Sequence, residues 1–129
     1  MSNHTHLIVK VEQPHQLSDV IRDFKKFTSG KIIKEIKNNP SESRKNWMLW
    51  IFESTAKESQ RNENYQFWQH TSHPILCDSA DILETRLHYI HNNPVRNEIV
   101  EEPEHYIYSS AKDYYLGKKG LLDIDRLVF

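Results

Sequence analysis

The sequence predicts an α+β fold in a single domain over residues 1–129. Apolar residues recur at helical spacing in three stretches, and two shorter runs of branched or aromatic residues read as strands. A chain of 129 residues is long enough for one modest core and too short for two comfortable ones.

Taken in order, His4 to Val11 is the first predicted strand, because HLIVKV is rich in branched side chains and Pro14 ends it. Side chains two apart in a strand share a face, so His4 and His6 point the same way. Leu17, Val20, Ile21, Phe24, Phe27, Ile32, Ile33 and Ile36 then predict a helix over 17–38, with Ser18 or Asp19 as its cap and Gly30 as a weak point. NNPSES is a turn. A second helix over 44–59 crowds Trp47, Met48, Trp50 and Ile51 on one side. The stripe Trp47, Trp50, Trp68 reads as core, the alternative being a platform for stacked bases.

RNENYQFWQH alternates Tyr65, Phe67 and Gln69 with Gln66 and Trp68, the pattern of a strand occupied on both faces, and HPILC is a shorter extended piece. Asp78 or Ser79 caps a third helix, ADILETRLHYIHN, whose core stripe is Leu83, Leu87 and Ile90. Pro94 ends it, since the residue before a proline is pushed out of the helical region. EEPEHYIYSSAKDYY is a loop entering a short helix through Ser109 or Ser110, and GKKGLLDIDRLVF is a glycine-punctuated tail.

Composition narrows the function classes. With 37% hydrophobic and 27% charged residues and a mean hydropathy of -0.75, much of the surface is ionic. Aromatic residues at 11% argue against disorder. No run reaches the roughly 20 apolar residues of a membrane span, and the N-terminus lacks a basic-then-apolar leader, so a cytoplasmic protein is expected. The single cysteine, Cys77, excludes an internal disulfide and a thiolate zinc site, leaving histidine, carboxylate or amide to hold any metal. A net charge of -1 gives no overall nucleic-acid footprint. The balance is uneven, however. Arg22, Lys25, Lys26, Lys31, Lys34 and Lys37 face only Asp23 and Glu35 between residues 22 and 37, a stretch that suits either a phosphate backbone or a solvated helix face.

Tyr89 and Asn93 are four apart and so share one face of the third helix. Set beside the His4 and His6 pair, they suggest a site: two imidazoles and an amide oxygen make three ligands for a divalent ion, with open positions for water and phosphate oxygens. A phenol one turn from the amide is then a nucleophile that needs a cation to polarise phosphorus. Plainer readings stand beside this one. His4 also fits a frayed terminal residue, Tyr89 a core or interface ring, Asn93 a helix-ending residue, and His88 and His91 surface histidines rather than proton relays.

SNHTHLIV, FWQ with HPI, LHYIHNNPVRNEIVEEPEHYIYSSAKDYY and GLLDI, in this order, resemble the REP-associated tyrosine transposases, a branch of the single-tyrosine HUH transposases. The similarity spans nearly the whole chain. It implies a ferredoxin-like or RRM-like antiparallel sheet with helices packed on one face. It also implies Mg²⁺ or Mn²⁺ held by His4, His6 and Asn93, and Tyr89 as the nucleophile on single-stranded, hairpin-forming repeat DNA. The resemblance further implies a 5′-phosphotyrosine intermediate and a free 3′-hydroxyl. Thr5 stands where the family usually has a hydrophobic residue, and the family's first strand and helix have no counterpart ahead of His4. The edge such a sheet exposes predicts self-association, as a homodimer or otherwise.

Three functions follow as expectations. The first is metal-dependent cleavage and strand transfer, with Arg22, Lys25 and Lys26 gripping phosphates and Arg96 close to Tyr89. The second is an inactive remnant that only binds DNA, and the third an interaction module without DNA. No membrane partner is expected.

Overall fold

The structure is a computed structural model describing residues 3–59 and 64–128. Half of the described residues are helical, and none of them lies in a strand. The α+β class with its antiparallel sheet is therefore corrected to an α-helical fold. A strand exists only through a partner ladder, and the described residues of the two predicted strands find none. The His4–Val11 run is irregular and mostly exposed. In the second run, residues 61–63 lie outside the described residues, and 64–70 is irregular, its main chain meeting the helices through the Gln66 N–H on the Phe52 carbonyl and Lys25 on the Gln69 carbonyl instead of a ladder. HPILC is irregular as well. Without a sheet among the described residues no strand edge is exposed there, so the self-association inferred from that edge loses its premise.

The helices are α1 (Leu17–Asn38), α2 (Lys45–Glu58), α3 (Ala80–Arg96) and α4 (Ala111–Tyr115), with a 3₁₀ turn at Pro103–His105. They fall into two compact units, residues 10–74 in one and residues 1–9 with 75–129 in the other.

In the 10–74 unit α1 packs against α2. α1 runs unbroken through Gly30 and starts one residue before Ser18, with Gln16 at its N-cap and no side-chain cap bond. Ile33 and Ala56 are buried. Residues 65–68 close over the pair: the Tyr65 hydroxyl donates to Glu53 Oε1 (2.9 Å), Trp68 Nε1 donates to Thr28 Oγ1 (2.8 Å), and the Phe67 ring sits 5.3 Å from that of Phe52. The expected tryptophan core divides. Trp68 is half-buried, whereas Trp47 and Trp50 are 58% and 64% exposed. Of the four crowded residues only Met48 and Ile51 are half-buried, because the apolar residues span more of the helix circumference than one neighbour can cover.

In the other unit Ser79 caps α3 as predicted, its hydroxyl accepting from the Ile82 N–H (3.3 Å). Pro94 does not end the helix. It lies buried inside the last turn, and α3 continues to Arg96. The end is a Schellman motif: the Ile99 N–H donates to the Pro94 carbonyl, the Glu98 N–H to the Val95 carbonyl, and Glu98 takes a left-handed φ of 55°. Leu87, His91 and Pro94 form the buried stripe, and Asn93 beside it is buried as well. His91 is only 1% exposed, contrary to the surface reading, and pairs with Ser110 Oγ (2.9 Å) beside the rings of Tyr114 and Tyr115. Ser110 is thus committed to α3, and Ser109 Oγ accepts from the Ala111 N–H at the start of α4. The tail folds back on α4, with the Asp113 carboxylate accepting from the Gly120 N–H and the Tyr114 hydroxyl from the Leu127 N–H.

Candidate metal and phosphoryl site

Tyr89, Asn93 and Arg96, with Asn97 at the C-cap, repeat at intervals of four, three and one residues and so fall on one side of α3, next to its buried stripe, with Asn93 itself buried. The segment carrying His4 and His6 belongs to the same compact unit. These six residues line one cavity of about 460 Å³. The two imidazoles are 5.0 Å apart edge-to-face, so they share a side as the i, i+2 spacing predicts, although no strand holds them. His6 in turn stands 5.7 Å from the Tyr89 ring, also edge-to-face. The Arg96 guanidinium lies over that ring at 5.6 Å.

His4 Nδ1 donates to Asn3 Oδ1 (2.8 Å), which puts the hydrogen on Nδ1 and leaves the Nε2 lone pair free. Burial, then the neighbouring His4, push the His6 imidazole below its ordinary pKa, so it stays neutral, the form that ligates metal. Its Nε2 is buried and has no hydrogen-bond partner among the described residues. An orphaned buried polar atom costs on the order of 1–3 kcal/mol, and a cation facing it would remove that cost. Asn93 is 7% exposed, and its Oδ1 accepts from Asn97 Nδ2 (3.1 Å), leaving one lone pair of the amide oxygen. Two imidazole nitrogens and one amide oxygen form a donor set that suits a divalent ion. Among the described residues no cluster of three or more His, Cys, Asp or Glu is arranged to hold a metal, so an amide ligand is needed to complete this one.

Tyr89 is 41% exposed, and its ring is reached from the cavity and from solvent alike. A buried core ring is thereby excluded. Asn93 is likewise within the helix instead of ending it. The other predicted cations fare differently. Arg22 is paired with Asp19 (2.6 Å) and Asp23 (3.0 Å), and Lys25 donates to the Gln69 carbonyl and Ser72 Oγ, so both are engaged within the 10–74 unit. Lys26 is exposed and makes no ion pair among the described residues. His88 is exposed as expected, contacting the Tyr115 hydroxyl (3.2 Å) and Glu84.

Asn3 and Asn97 complete the surroundings of the site, and no motif in the sequence marks either of them. The signal for Asn97 was its place four residues after Asn93, the same interval that linked Tyr89 to Asn93.

No family model, no curated protein and no solved structure matches this chain. No helix among the described residues is long and apolar enough to cross a membrane.

Proposed function

We propose that this chain cleaves and rejoins single-stranded DNA with Tyr89 as nucleophile, in the manner of the REP-associated tyrosine transposases it resembles in sequence. The observation that carries the reading is the meeting of His4, His6, Tyr89, Asn93 and Arg96 around one cavity. His4, His6 and Asn93 would hold Mg²⁺ or Mn²⁺, which when bound supplies Lewis-acid polarisation of a phosphate.

The protein's own groups then divide the work. Tyr89 Oη forms a bond to phosphorus as the P–O3′ bond breaks. The bonding pair leaves on O3′, and the phenolic proton passes to it through water, giving a 5′-phosphotyrosine and a 3′-hydroxyl. Attack by a 3′-hydroxyl on that phosphotyrosine reverses the steps and restores the phenol. Arg96 places a permanent positive charge beside the ring, where the negative charge of the phosphate oxygens builds. His6, kept neutral by its surroundings, is not a proton donor in this scheme.

Incubation of the protein with Mn²⁺ and a hairpin-forming single strand should give a covalent protein–DNA band that Tyr89→Phe abolishes. A band that survives Tyr89→Phe removes Tyr89 from the role. A second reading, DNA binding without cleavage, is favoured by one observation: no strand ladder anchors the histidine segment among the described residues. It predicts salt-sensitive retention of the same strand and no band with any divalent ion.

A further inference from the structure

We propose that Asn97 is a positioning residue that fixes which atom of Asn93 is presented to the cation. This rests on the reading of His4, His6 and Asn93 as a ligand set. A carboxamide offers one donor and one acceptor on nearly identical arms, and only its oxygen ligates a cation, so a ligating asparagine needs something that settles its orientation.

Asn97 settles it through two oxygen contacts from one nitrogen. Its Nδ2 lies 2.7 Å from the main-chain carbonyl of Asn93 and 3.1 Å from Asn93 Oδ1. The main-chain carbonyl can only accept, so the Asn97 arm facing it must be the NH₂ group. The second hydrogen of that NH₂ then requires an acceptor, and the neighbouring arm of Asn93 must be its oxygen. A turned Asn93 would set NH₂ against NH₂. One amide, locked by a carbonyl that cannot rotate, thereby locks the other.

The helix end makes this possible. The Asn97 main-chain N–H also donates to the Asn93 carbonyl (3.1 Å), and the Schellman turn that follows holds Asn97 at the C-cap with its side chain folded back along α3. Asn97 and Asn93 both line the cavity. Asn3 stands in a matching relation to His4, as the acceptor that fixes its tautomer.

The test is Mn²⁺ affinity of the full chain, read by titration without DNA, in a double-mutant cycle of Asn93→Ala and Asn97→Ala. Asn97→Ala is expected to weaken binding about tenfold or more, as outer-shell losses do. In the Asn93→Ala background it is expected to change nothing further, because its effect runs through Asn93. Equal losses in both backgrounds, or no loss in either, overturn the positioning role. Asn97→Ser covers the case in which Asn97→Ala fails to fold. A single hydroxyl hydrogen can cap the main-chain carbonyl but cannot serve both oxygens, so this variant keeps the wild-type melting temperature and shows the same loss of affinity. Wild-type affinity in a folded Asn97→Ser protein also overturns the proposal. Failure of the underlying ligand set looks different: the wild type then binds no Mn²⁺, or His4→Ala and His6→Ala bind it equally well.

Discussion

At the scale of single residues, His91 has the most measurable chemistry. Burial first, and His88 second, push its pKa down to about 4 from 6.5, against a smaller opposing pull from Asp113. The unfolded chain therefore takes up the proton first. Stability is complete above pH 6.5 and drains away as the pH falls towards 4, by on the order of 3 kcal/mol. His6, also held below its ordinary value, acts in the same direction. Chemical denaturation repeated from pH 7 to pH 4 should show this loss. His91→Gln, which keeps a partner for Ser110 without an ionisable ring, should flatten most of it. His91 was legible in principle: four residues after Leu87, it continues the buried stripe. Its polarity argued for the surface, and only the Ser110 hydroxyl on a different element made burial affordable. Asn3 was hidden for a similar reason, since nothing local marks an amide as a tautomer-setting partner.

At the scale of elements, the four helices stood out because helical hydrogen bonds are local and their periodicity is written into one segment. α2 lies within one residue of its predicted bounds at either end, and Ser79 caps α3 as expected. Strands depend on distant partners, so branched residues in HLIVKV and aromatic alternation in YQFWQ carried a preference with no ladder to satisfy it. Pro94 misled for another reason. A proline costs a helix one N–H and crowds the preceding turn, yet near the C-terminus of α3 the loss is a single bond and burial of the ring offsets it. The Schellman end adds a testable strain. Glu98 holds a φ of 55° where glycine is the usual occupant. Glu98→Gly should raise unfolding free energy by up to about 1 kcal/mol in denaturant titrations, with Mn²⁺ affinity unchanged.

At the scale of the whole molecule, charge is the property that sequence and structure describe differently. The run from Arg22 to Lys37 reads as a cationic strip, but Arg22 and Lys25 already have partners, and the net charge is -1. Exposed pairs such as Arg22 with Asp19 are weak, so phosphates could recruit them only by displacing their neighbours. If Lys26 and Arg96 alone meet phosphates, about two contacts, the slope of log affinity against log salt for a single strand is near -1.4; recruiting Arg22 and Lys25 as well brings it to about -2.8. The shallower value is expected, and filter binding across a potassium chloride series distinguishes the two. The candidate site was more legible than the sheet thought to carry it, because Tyr89, Asn93 and Arg96 owe their common face to helix geometry alone. That geometry also binds the site's fate to the interior. Tyr89 and Asn93 look into the cavity from the same seventeen-residue rod that buries Leu87, His91 and Pro94. A lineage that lets those interior positions drift therefore rotates or tilts Tyr89 and Asn93 with them, and residues outside the cavity come to govern its shape.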